Sequence, residues 1–97
     1  MTESKKRADD QELTREVILA AFEKLFSGAK KGVRRFSHSG VRHVALPGGA
    51  ELIEQNPQKS SEWARLAREG HRVAWAMRDG EYLARVVDGE VEMLGRD

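Results

Sequence analysis

Ninety-seven residues set the scale of one domain with a modest core, since a chain of this size buries roughly 60–65% of its unfolded surface. Cysteine is absent, which excludes a disulfide framework and thiolate metal sites. The formal net charge is only +1 but is unevenly placed: Lys30–His43 holds five cations and no acid, while Asp79–Asp97 holds six acids against two arginines.

No apolar run approaches membrane-spanning length, and the basic N-terminus lacks the apolar stretch of a signal peptide. The expectation is a cytoplasmic protein without membrane contact. Residues 1–9 read as a disordered polar tail and 10–97 as a single α+β domain.

Asp9 or Asp10 is a suitable cap for a helix running to Phe26. Leu13, Val17, Ala20 and Ala21 follow one side of it, and Ile18, Phe22, Leu25 and Phe26 widen the apolar face. Packing over a sheet accounts for such a face, and its width also admits a protein partner or a second copy through residues 10–26. Gly28 supplies the stop. Ala29–Gly40, rich in Lys, Arg, Gly and Ser with Phe36 as its large apolar group, reads as an exposed loop.

Val41–Leu46 has strand character, and Pro47-Gly48-Gly49 breaks it. Ala50–Gln55 is expected as a strand paired back onto it, although Glu51, Leu52, Glu54 and Gln55 are also helix formers. Asn56-Pro57 ends this segment. Ser60 and Ser61 are good N-caps for a helix over Ser61–Glu69, with Trp63, Leu66 and Ala67 on one stripe and Gly70 as its terminator.

His71–Leu94 reads as a three-stranded antiparallel meander turned by Asp79-Gly80 and Asp88-Gly89, both type I′ signals. Two-residue loops predict the pairs Arg78–Glu81, Met77–Tyr82, Trp75–Ala84 and Val73–Val86, then Val86–Val91, Arg85–Glu92 and Ala84–Met93. One face then carries Val73, Trp75, Met77, Tyr82, Ala84, Val86, Val91 and Met93. The opposite face is charged, with Leu83, Val87 and Leu94 among the charges. This register expects Trp75 buried and Arg85 exposed. The fold class is therefore α+β: an N-terminal amphipathic helix and a second short helix packed on an antiparallel sheet that ends in the meander.

No nucleophile-elbow or phosphate-loop pattern occurs, and Ser37-His38-Ser39 is adjacency without an orienting carboxylate. His38, His43 and His71 lack the spacing of a metal site. No catalytic residue, metal or cofactor is expected, and Trp63 and Trp75 read as core. The candidate site is basic: Lys30, Lys31, Arg34, Arg35 and Arg42 with Phe36 interleaved, extended by Arg65, Arg68 and Arg72. Clustered cations draw phosphates through counterion release, and an exposed ring stacks on a base. This points to a small non-enzymatic nucleic-acid-binding accessory protein, with DNA and RNA both open. The same run reads equally as a solvated loop. The alternative is an interaction module or homodimeric adaptor, using the broad helix face and Leu83, Val87 and Leu94.

Overall fold

The structure is a computed structural model and describes residues 13–28 and 30–94. The expected tail at 1–9 and the caps at Asp9 and Asp10 lie outside these residues. In chain order the elements are α1 (Arg15–Phe26), β1 (Val33–Arg35), β2 (Arg42–Ala45), β3 (Glu51–Glu54), α2 (Glu62–Arg68), β4 (Val73–Arg78), β5 (Glu81–Val87) and β6 (Glu90–Met93). All six strands form one antiparallel sheet in sequence order, with α2 inserted between β3 and β4. No helix among the described residues is long and apolar enough to cross a membrane.

α1 lies on one face of the sheet. Ile18, Phe22 and Leu25 recur at helical spacing and are fully buried. They rest on Val44, Leu46, Leu52, Ala74, Ala76, Ala84 and Val86. The three alanines are themselves fully buried, and Ala76 pairs with Ala84 across β4 and β5. Small side chains at the sheet's centre leave room for the large ones of the helix, as close packing demands. Leu13, Val17, Leu19, Ala21 and Phe26 are half-buried against the same cluster, so the core absorbs much of α1's breadth.

The helix begins later than expected. Thr14 is extended at ψ 167° and its side chain accepts from the Val17 N–H, so α1 starts at Arg15 rather than Asp10. The second helix agrees closely with expectation. Ser61 caps it through the Ala64 N–H, and it ends with His71 N–H donating to Leu66 O, Gly70 N–H donating to Ala67 O, and Gly70 at φ 103°. Ala50–Gln55 is a strand over Glu51–Glu54, paired with β2 across the Pro47–Gly49 turn.

Two further expectations are corrected. Ala29–Gly40 is not all loop: Val33–Arg35 forms edge strand β1, with Val33 opposite Val44. Its single inward apolar group, among cations, gave too short an alternation to read as a strand. The register between β4 and β5 also shifts. Met77 does pair with Tyr82 and Arg78 with Glu81, but Trp75 pairs with Arg85 and Val73 with Val87. Leu83 is an extra residue, a β-bulge, packed against the α1 core. The Val86–Val91, Arg85–Glu92 and Ala84–Met93 pairs of the second hairpin stand as expected.

The shift separates residues that an unbroken alternation places together. Ala84, Val86 and Val91 go to the α1 side. Trp75, Met77 and Tyr82 go to the other, together with Arg85 and Val87. Trp75 is half-buried there rather than core, and the Arg85 side chain is only 18% exposed.

Both Asp-Gly turns have positive φ at each central residue: Asp79 51° and Gly80 81°, Asp88 51° and Gly89 94°. A Cβ on Gly80 would meet nothing within 4 Å, so substitution there tests backbone strain alone. Gly80→Val is expected to cost about 1–3 kcal/mol in urea unfolding. Phe22→Ala should cost about 3–5 kcal/mol, and Trp75→Ala less, because Trp75 never leaves solvent fully. A larger loss at Trp75 than at Phe22 would place the core on the wrong face.

Candidate nucleic-acid interface

α2 has seven residues, about 10 Å of helix, against a six-stranded sheet about 24 Å across. It therefore covers only part of the face opposite α1. The rest is an open groove of about 640 Å³, lined by Phe36, Ile53, Trp63, Trp75, Met77 and Tyr82 among others.

The rings are fixed by identifiable contacts. Trp75 alternates away from α1, and its indole Nε1 donates to Gln55 Oε1 at 2.7 Å. Trp63, presented by α2, meets Trp75 edge-on at 6.0 Å between centroids. The Arg85 guanidinium sits 4.0 Å over the Trp63 ring and bonds Glu92, so one Trp63 face is already taken by a cation. Tyr82 tilts against Trp75 at 4.7 Å yet remains 56% exposed. At the far end Phe36 stacks on His43 at 4.2 Å and 12°. The His43 Nδ1 lies 3.6 Å from Glu51 Oε2, which holds the imidazole beneath the phenyl ring. The connection ahead of α2 is lashed down by Arg68, whose Nη1 donates to Pro57 O at 2.6 Å and Lys59 O at 3.0 Å.

The expected basic residues are split between the faces. Arg34 pairs with His43 in the ladder and shares the groove side with Phe36. Arg35 and Arg42 alternate to the α1 side, where the Arg35 Nη1 donates to Gly40 O. Arg42 is engaged internally. Its guanidinium bonds both Glu54 oxygens, at 3.1 and 2.9 Å, and lies 5.1 Å over the Phe26 ring. Arg72 lies 5.3 Å over the Phe22 ring, also on the α1 side. Arg65 is within 3.9 Å of Glu69 on α2. Lys30, Lys31 and Arg34 are exposed, with no ion pair among the described residues.

Sequence reasoning missed Trp63, Trp75, Met77 and Tyr82 as groove residues, and Lys59, which joins them in the lining. The available signal was the shortness of α2: a helix of about two turns leaves a wide sheet face bare. Among the described residues no group of three or more His, Asp or Glu is placed to hold a metal ion. Comparison with protein-family models, characterised proteins and solved structures finds no match for this chain.

The Arg42–Glu54 pair has a pH signature. Burial pushes the Glu54 carboxyl up, but bonds from the Arg42 side chain and backbone N–H outweigh it and hold the group below the ordinary glutamate range. A carboxyl with a depressed folded pKa stabilises fully above its unfolded pKa, and loses that contribution as pH falls through the folded value. Wild type should therefore exceed Glu54→Gln in stability at neutral pH, and the gap should close as the pH drops through and below the glutamate range. Urea unfolding of both proteins across a pH series checks this; a gap independent of pH contradicts it.

Proposed function

We propose that the protein is a small non-enzymatic single-stranded nucleic-acid-binding accessory protein, acting in the cytoplasm through the aromatic groove and the cations beside it. One observation carries the reading: Phe36, Trp75 and Tyr82 line one open groove on a sheet face, and Arg34 projects from the same side of the adjoining hairpin. Bases stack on aromatic rings whatever their identity, while cations along the rim follow the phosphates. A duplex keeps its bases paired inside and offers no ring faces to such a groove.

The charge distribution sets the affinity. Arg42 and Arg72 are engaged with Glu54 and Phe22 and Arg35 lies on the α1 side, which leaves Lys30, Lys31, Arg34 and Lys59 to meet phosphates, with Arg65 at the margin. About three phosphate contacts on a single strand give a slope of log K against log salt near −2. Binding is then modest and strongly salt-dependent. The alternative is an interaction module that uses the same groove for a peptide, favoured by the exposure of Tyr82 at 56%.

The distinguishing measurement is fluorescence anisotropy with single-stranded and duplex oligonucleotides at several salt concentrations. Tyr82→Ala should weaken single-strand binding by about 1–3 kcal/mol without touching the core. Arg34→Gln should flatten the salt slope by about 0.7. Equal affinity for duplex and single strand, or none for either, overturns the reading and leaves the interaction module in its place.

A further inference from the structure

We infer that the groove takes a single strand crossing the sheet, held at two separate stacking stations, so that its ligand is an oligonucleotide of about three nucleotides or more rather than a free nucleotide. The inference rests on the single-strand reading above and adds a site size and a direction to it.

The stations are at opposite ends of the groove. Phe36 is fixed on His43 of β2 and lines the groove beside His38, whose ring tilts against it at 5.6 Å, so this end presents one station for a base. Tyr82 belongs to β5 and leans on Trp75 of β4. Three strand spacings separate β2 from β5, about 14 Å of sheet. Neighbouring stacked bases follow one another at about 3.4 Å. Neither one base nor an adjacent stacked pair reaches both rings, so the backbone must run between them.

The lining supports that path. Ile53 and Met77 floor the groove between the stations, and Lys59 projects into its lining with no ion pair among the described residues. Glu54, the acid in the lining, is neutralised by Arg42. The charge is also polarised. Arg34 stands beside Phe36, whereas Tyr82 follows Asp79 and Glu81 in the chain. Phosphates are therefore held at the hairpin end and along Lys59, and the Tyr82 end receives a base alone.

The test uses the full chain and oligothymidylates of one to six nucleotides, followed by tryptophan fluorescence at low salt. Affinity should rise at least about tenfold between one nucleotide and three or four, as the second station engages, and level off beyond. Tyr82→Ala and Phe36→Leu should each remove most of that gain. Tyr82 is exposed, so its variant tests the idea even if Phe36→Leu disturbs the hairpin. Binding by wild type with no dependence on length, or a length gain that survives both substitutions, overturns the two-station inference and spares the single-strand reading. No binding of any oligothymidylate overturns both.

Discussion

The extra residue at Leu83 decides what each face of the sheet is made of. Without it, strict alternation across the Asp79-Gly80 turn sets Ala84 and Val86 beside Trp75, and α1 must pack on a mixture of indole, methionine and tyrosine. With it, Leu83 joins Ala84 and Val86 beneath α1, and Arg85 turns to the side where Trp63 offers a ring face. One face becomes smooth and aliphatic and accepts a helix closely. The other becomes aromatic and is roofed only in part. A bulge costs one ladder position. Here it sorts two kinds of side chain that the sequence interleaves.

That sorting also explains where the charges went. Guanidinium groups lie over aromatic rings in several places: Arg42 over Phe26, Arg72 over Phe22, and Arg85 over both Trp63 and Trp75. Such contacts bury the stems of long side chains along apolar surface. A count of arginines therefore overstates the cations free to meet a ligand. Arg42 is the clearest example. It falls in the most basic stretch of the chain, yet its guanidinium and backbone N–H both serve Glu54, twelve residues away and one strand over.

Local chemistry was the legible part of this chain. The Asp-Gly turns, the Ser61 cap, the Gly70 stop and the β2–β3 hairpin all follow from a few neighbouring residues, and so does the α+β class. The limits came where a local pattern had two continuations. Nothing in Glu81–Val87 marks Leu83 as supernumerary, since Tyr82, Leu83, Val86 and Val87 are acceptable on either face. The pairing near the turn came out right and the pairing beyond the bulge did not. Val33–Arg35 is too short and too charged to announce a strand and is recruited by its partner β2. The basic stretch was visible as composition, but its division between two faces depends on that recruitment. The groove itself needed three dimensions, because Phe36, Trp63 and Tyr82 come from the β1–β2 connection, α2 and β5.

The strand order carries a consequence for how the molecule assembles. Every strand lies beside its predecessor in the chain, and the connections between β1 and β2, β2 and β3, β4 and β5, and β5 and β6 are hairpins. Few residues must be closed into a loop before each pairing is rewarded, so the entropic barrier at each step is small. The long excursion, between β3 and β4, is shortened by α2 and by the Arg68 clasp on Pro57 and Lys59. Non-local closure is left mainly to α1, whose Arg15 reaches the Val91 carbonyl at the opposite end of the described chain. Pairing that follows the chain this closely keeps contacts local, the property that places a sheet toward the faster end of the range for sheet proteins of its size.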